Sequence, residues 1–501
     1  MKNFVLFFLS FFLINTIVAQ HITYTEPESQ DVRTTDFEII GKISNNFLVY
    51  KNVRNRYAIS VYDNNMKLAN RVDLEFIPNK VFNVDFIAYP DYAYLIYQFQ
   101  KKNILYCMAA KIDGDGKLMS DPVELDTTSI SFFADNKIYS MSNSEDKSKI
   151  MVYKIQKKGE KLNFTTVLFS DNLELIHKAR IPTNFDSHDD VFSDFLVDNQ
   201  GNFVFAKSTR SGSRDYLQDA TLITKAPTSD SFVSIPLNLE GNYLDEIKLK
   251  VDNINNHYLL NSLYYSKKRG NIEGLFSVVW NKTDNNFEAS NLIALGDSVR
   301  SMAKTDGAMR YALNNFFIKD VILKKDGGFL LAAEDHTSQS RGNPWNRYDY
   351  LYGDPYSYNS YYLYSPSYYW NSGRPRNYMN SQVRYYYDNI VVMNLDAQGN
   401  LIWSNVIHKS QFDDNSDNYL SYNTMLTGGQ LHFLFNELER RNQLINDQSI
   451  SGDGKVTRYP PLHNLDRGYE FMPRYAKQVS SDELIVPCTY RNYICFAKIE
   501  F

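Results

Sequence analysis

Glu334, Asp335, His336 and Ser338 put acids, a base and a hydroxyl into one short run, "EDHTS". Those side-chain types carry proton transfer and nucleophilic attack, so the run invites a hydrolase reading. Triad roles depend on geometry in space, however, and no Gly-x-Ser-x-Gly elbow accompanies the run. A second knot, Asp186, His188, Asp189, Asp190 and Asp194, could offer several oxygens to a divalent cation; its plainer reading is a solvated acidic connection. Asp113-Gly114-Asp115-Gly116 is superficially like a calcium loop but lacks the closing Glu, and reads as hairpin-turn chemistry. The 8 histidines show neither His-Glu-x-x-His spacing nor a Cys/His cluster. Paired carboxylates for glycoside cleavage cannot be singled out, because acidic residues are plentiful. The sequence therefore nominates no catalytic residue, no metal site and no cofactor.

Binding chemistry is concentrated elsewhere. The stretch "NRYDYLYGDPYSYNSYYLYSPSYYW", from Asn346 to Trp370, crowds tyrosines between two strand-like segments. It belongs to an insertion, residues 337–384, of roughly fifty residues, far beyond ordinary loop length. Pro344, Pro355, Pro366 and Pro375 keep it from forming a regular helix or a central strand. Tyrosine buries a large ring with few rotatable bonds and keeps a hydroxyl for a partner, which suits recognition surfaces. The candidate binding residues are Trp345, Tyr361, Tyr362, Tyr368, Tyr369, Trp370, Arg374 and Arg376. Arg341, Arg347 and Arg384 extend a positive trim able to engage acidic groups or to stack. Aromatic faces also stack on sugar rings, so both a protein surface and a glycan fit; a self-packed cap without a ligand is the structural alternative.

The elements that must carry these residues repeat along the chain. An apolar strand, a turn rich in Asp, Asn and Gly, and a second strand recur in "YAISVYDNNMKLANRVDL" from Tyr57, "LYCMAAKIDGDGKLMSDPVEL" from Leu105 and "NIVVMNLDAQGNLIWSNVIHK" from Asn389, among others. The Asn/Gly/Asp turns supply the positive-φ positions of tight hairpins. Further strand pairs lie between, giving four-stranded antiparallel units roughly every 45 to 60 residues. Closing such units radially hides their edges, so the expected fold is all-β, a β-propeller of about eight blades, alternatively seven. Two stacked β domains are the other architecture that strand periodicity permits. The last unit reads as three strands, so the N-terminal segment 20–34 is expected to supply the missing strand and close a ring spanning 35–501. Short helices are expected only at "SVRSMAKTDGAMRYALNN" and "NELERRNQL".

The N-terminus, with Lys2, an apolar run from Phe4 to Val18 and Ala19 at the cleavage position, reads as a secretory signal peptide over residues 1–19. The net charge of −5 leaves no basic footprint for nucleic acid. The chain has only 3 cysteines, too few for a disulfide framework. Cys488 and Cys495 face one another across a hairpin turning at Arg491-Asn492; they could bridge, although a two-residue turn puts them at a hydrogen-bonded pair, or they are two small buried hydrophobes.

The tail "FMPRYAKQVSSDELIVPCTYRNYICFAKIEF", the segment "YYYDNIVVMNLDAQGNLIWSNVIHK" and the "IVAQ" end of the leader resemble those of secreted, propeller-like proteins of Bacteroidota. The resemblance covers the last third best. It implies an exported compartment, periplasm or outer-membrane surface, and a propeller, but no reaction. The expectation is a non-catalytic scaffold or accessory subunit of an envelope complex, contacting its protein partner through the tyrosine-rich insert. The alternative is a glycan-binding or glycan-hydrolysing propeller, which predicts converging carboxylates near the ring axis.

Overall fold

A computed structural model describes residues 20–28, 35–130, 138–187, 189–210, 216–268, 270–305, 307–340, 347, 383–414, 416–439, 442–462 and 468–501. These residues form eight four-stranded antiparallel blades. Blade 1 is Thr35–Ile43, Asn46–Val53, Arg56–Tyr62 and Leu68–Asp73. Blade 2 runs from Asn83–Ala88 to Val123–Ser129, blade 3 from Tyr139–Asn143 to Leu175–Asp186, blade 4 from Asp190–Val197 to Val233–Pro236, and blade 5 from Lys248–Asp252 to Asn286–Ala294. Blade 6 is Phe316–Leu323, Phe329–Ser340, Val383–Leu395 and Leu401–Ile407; blade 7 runs from Tyr422–Thr427 to Val456–Arg458. Blade 8 takes Tyr469–Phe471, Glu483–Tyr490 and Tyr493–Glu500 from the end of the chain, and His21–Tyr24 from its start. Blades 4 and 5 are stitched into one hydrogen-bonded sheet by Tyr243–Leu244, which pairs with both.

The core shows why the blades close into a ring. Each apolar cluster lies between two consecutive blades. Ile40, Leu48 and Ile59 of blade 1 meet Val84, Leu95 and Ala110 of blade 2. The series continues through blades 2 and 3, 3 and 4, 4 and 5, 5 and 6, 6 and 7, and 7 and 8. It ends with Phe37, Phe47 and Tyr62 of blade 1 against Ile485, Ile494 and Phe496 of blade 8. A sheet buried on both faces needs a neighbour on each side, and a ring supplies one without leaving an unsatisfied end. This excludes two stacked β domains. First strands pack on first strands of adjacent blades, and Lys477 of blade 8 donates to the Ile39 and Ile40 carbonyls of blade 1 at 3.1 and 3.0 Å. First strands therefore line the axis.

The N-terminal strand closes blade 8 as its sequence predicts, with Ile22 opposite Ile499 and Tyr24 opposite Ala497. Glu28 then reaches blade 1, where it accepts hydrogen bonds from buried Lys51 and from the Tyr62 hydroxyl. Of the two expected helices, the first is real but short, Asp297–Ala303, followed by a 3-10 turn at Met309–Tyr311. The second is not a helix. "NELERRNQL" spans the ends of strands Gln430–Glu439 and Asn442–Ile450, paired from Leu431↔Ile450 to Glu439↔Asn442. Ladder pairing and burial of Leu431, Phe433 and Phe435 between blades 6 and 7 override the helical preference of Glu, Leu and Arg. No helix among the described residues is long and apolar enough to cross a membrane.

Up-and-down order gives the ring two distinct faces. Turns joining strands 1–2 and 3–4 share one face; the 2–3 turns and the crossovers between blades share the other. The turn face carries the Asx chemistry read from sequence. Asp113 Oδ1 accepts the backbone N–H of Asp115 and of Lys117, both at 2.9 Å. Asp63, Asp198 and Asp396 repeat the same i+2, i+4 pattern. The tyrosine-rich insertion leaves from the opposite, crossover face.

Candidate functional site

The crossover face near the axis, at blades 4 to 8, gathers the unusual ionisable groups. β-Bulges put them there. In the first strand of blade 6 the ladder skips between Ile318 and Asp320, leaving Lys319 as the extra residue. Lys319 keeps some contact with solvent, and desolvation by the surrounding protein pulls its pKa down. The first strand of blade 4 skips between Ser193 and Leu196, where Asp194 takes a left-handed conformation, φ 52°. Its carboxylate accepts the Leu249 N–H of blade 5 at 2.7 Å. A third bulge lies between Glu334 and His336 in blade 6, so Asp335 stands against the Asp388–Asn389 pair of the facing strand. Bulges re-aim side chains and are common beside active sites.

Glu334 is the hub of the blade 6–7 seam. Lys409 Nζ lies 2.8 Å from its Oε1, and the Ser421 hydroxyl donates to its Oε2 at 2.5 Å. Lys319 Nζ donates to Ser421 Oγ at 2.8 Å, and Ser421 holds φ 69°. Burial opposes ionisation of Glu334, but Lys409 and Lys319 outweigh it and hold its carboxyl below the ordinary value. Its neighbour in sequence behaves oppositely. Burial, then the charge of Asp388, push the Asp335 carboxyl up to about 7; its Oδ2 accepts from Thr305 Oγ1 at 3.4 Å. Asp388 Oδ1 is buried without a hydrogen-bond partner among the described residues. Two adjacent carboxyls are thus driven apart, one ionised and one holding its proton near neutrality.

His336 completes the corner. Its Nδ1–H donates to the Tyr386 carbonyl at 3.1 Å, which fixes the neutral tautomer with Nε2 as acceptor. Burial lowers its pKa to about 4. Its ring lies 4.1 Å from that of Tyr387, whose hydroxyl donates to Asp417 Oδ2 at 3.0 Å. Arg474 of blade 8 donates to the same oxygen at 2.6 Å. Burial resists the charge on Asp417, and Arg474 prevails, keeping that carboxyl below its usual range. At blades 4 and 5, burial raises the pKa of Asp194 and of Glu246, the latter beside Lys248 at 2.9 Å.

The sequence-predicted residues divide clearly. Glu334, Asp335 and His336 belong to one cluster, while Ser338 lies further along the strand, opposite Tyr385, and is not part of it. The serine that joins the cluster is Ser421, nearly ninety positions away in sequence, |i−j| 87, with no motif to announce it. Trp345, Tyr361, Tyr362, Tyr368, Tyr369, Trp370, Arg374 and Arg376 lie outside the described residues. So do Arg341 and residues 1–19, the stretch read from sequence as a signal peptide. The hairpin ladder runs on to Ser340↔Val383, so paired strand extends into both ends of the stretch read as insertion.

Two arginines of the expected positive trim are already paired within the chain. Arg384 holds Asp414 through Nε and Nη2 at 2.7 and 3.0 Å. Arg347 grips Asp245 in the same two-pronged way at 3.0 and 2.5 Å and stacks 3.7 Å above Phe317. The acidic knot is likewise engaged internally. Asp190 accepts from Lys207 and Thr209, Asp186 accepts the Asp189 N–H, and His188 lies outside the described residues. Among the described residues no three His, Cys, Asp or Glu side chains converge to hold a metal.

No protein-family model matches the sequence, and no curated protein matches it. Solved structures similar to the chain include a prolyl endopeptidase, with TM-score 0.41 and 7% identity over 92% of this chain and 55% of that one. Prolyl oligopeptidase B from Galerina marginata gives TM-score 0.42 and 6% identity over 92% of this chain and 56% of its own. The polysaccharide lyase Uly1 gives TM-score 0.41 and 9% identity over 83% and 89%. The chain spans about half the length of the prolyl peptidases it matches. At these identities the likeness assigns no activity. The expectation of a non-catalytic envelope scaffold docking through its insert finds no support among these neighbours, which are two prolyl peptidases and a polysaccharide lyase. In blade 6 the carboxyls of Glu334 and Asp335 are driven to opposite protonation, an arrangement that docking through the insert does not require.

Proposed function

We propose that this chain is an exported glycan-active propeller that hydrolyses a glycosidic bond at the crossover face, with its site at the corner of blades 6, 7 and 8. The observation that carries this reading is the Asp335 carboxyl, held protonated up to about pH 7 beside ionised Glu334 and the unpartnered Asp388 oxygen. Glycoside cleavage needs one carboxylic acid to protonate the leaving oxygen and one carboxylate to act on the anomeric side. Asp335 is the acid in this assignment and Asp388 the carboxylate. Lys409 and Lys319 keep Glu334 ionised, and that charge favours retention of the Asp335 proton.

The test combines a carbohydrate array with an assay of reducing-end release on the glycans that bind. Wild type is expected to bind and cleave. Asp335→Asn should bind with similar affinity and release sugar at least ~100-fold more slowly, the usual scale for a lost general acid. A wild-type chain that binds no glycan, or an Asp335→Asn variant that cleaves at the wild-type rate, overturns the assignment. Binding without cleavage by wild type would leave a lectin.

A further inference from the structure

The closing blade carries a thiol pair that the site does not use. Cys488 and Cys495 sit on the two central strands of blade 8, directly opposite in the ladder. The hairpin between them turns at Arg491 and Asn492, with φ 51° and 71°, and Tyr490↔Tyr493 is the last pair before the turn. Their Sγ atoms are 2.8 Å apart, and both residues are fully buried. Cys495 Sγ also donates to the Cys488 carbonyl, at 3.2 Å. Cys107 lies in blade 2 and packs in the cluster between blades 2 and 3, on another part of the ring. Among the described residues, each cysteine of blade 8 therefore has the other as its neighbouring thiol.

We infer that Cys488 and Cys495 form a cross-strand disulfide in the exported chain, a covalent staple within the blade that closes the ring. Two thiols lose two protons and two electrons as the S–S bond forms. The electrons pass to a dithiol-disulfide oxidant, by thiolate attack on its disulfide and resolution of the mixed disulfide by the second cysteine. The folded blade protects the thiols from this attack, because burial raises the Cys488 pKa and leaves little thiolate. Oxidation therefore belongs to the interval when the hairpin has formed but blades 7 and 1 have not yet covered it. The turn, with both φ values positive, brings the pair together locally, before any long-range contact is needed.

Trypsin offers a direct test, since it cuts after Lys477, Arg491 and Lys498 and so separates the two cysteines. The full chain is secreted into an oxidising compartment, denatured in N-ethylmaleimide and digested without reductant. The expected product is peptide 478–491 joined to 492–498, with maleimide on Cys107 alone. Reduction should split the pair into its two peptides. Cys107→Ser leaves the hairpin untouched and is expected to take up no maleimide before reduction. Maleimide on both Cys488 and Cys495 in the secreted, folded protein overturns the inference, as does a disulfide joining Cys107 to either.

Discussion

At the scale of single residues, the molecule spends stability on its charged corner. Asp335 has a folded-state pKa of about 7 against an ordinary 3.8. A raised acid binds its proton more tightly when folded, so its contribution is fully present below pH 3.8 and is lost as pH rises through about 7. At one pKa unit per ~1.4 kcal/mol, the loss amounts to at most about 4 kcal/mol. Asp335→Asn removes the titration while keeping the shape. Melting curves at pH 4.5 and pH 8 should show the variant gaining on wild type at the higher pH; an equal difference at both would mean that Asp335 does not titrate there. His336 runs the other way: its pKa is lowered to about 4, so its stabilising neutrality is present above pH 6.5 and lost as pH falls towards 4. Together they set a window between about pH 4 and about pH 7 in which Asp335 is protonated and His336 is uncharged.

At the scale of elements, the aromatic content is concentrated in seams between blades. The seam of blades 3 and 4 packs Phe164, Phe192, Phe195, Phe203 and Phe205 together, with Phe164 and Phe205 stacked at 5.6 Å. Phe205 is fully buried, so Phe205→Ala should cost about 3–5 kcal/mol, the range for emptying a close-packed aromatic site. Urea unfolding should show the midpoint falling with the slope retained; a cost below ~1 kcal/mol would mean the seam collapses around the gap. Much of this was legible. Phe203 and Phe205 alternate with smaller residues in an obvious strand, and the Asp-capped turns announce their hairpins, because both signals act over a few residues. The bulges at Asp194, Lys319 and Asp335 were not legible, since a bulge is a mismatch between two strands and neither strand alone records it. "NELERRNQL" misled for a different reason: it is the tip of its own hairpin, with Glu437 opposite Leu444 and Glu439 opposite Asn442, and pairing overrides the helical preference of its residues.

At the scale of the whole molecule, ring closure rests on His21–Tyr24 and on Glu28. The strand covers the edge of Tyr493–Glu500, and Glu28 ties blade 8 to blade 1 through Lys51 and Tyr62. Removing residues 20–28 exposes that edge and leaves buried Lys51 without its carboxylate. Loss of a whole strand and a buried ion pair should lower Tm by roughly 10 °C or more and promote association through the open edge. Calorimetry with light scattering measures both; an unchanged Tm in a monodisperse sample would show that the ring does not depend on its first strand.

The residues alone determined the strand repeat, the hairpin turns, the count near eight and the contribution of the N-terminal strand, because alternation and Asn/Gly/Asp turn chemistry are local. Only the tertiary structure decided which charges meet. Glu334 and Asp335 are neighbours in sequence, yet their opposite protonation depends on Lys409, Lys319 and Asp388, set in place by one crossover and two bulged ladders. Electrostatic coupling depends on distance in space and on the local dielectric, so it leaves no mark on spacing in the chain.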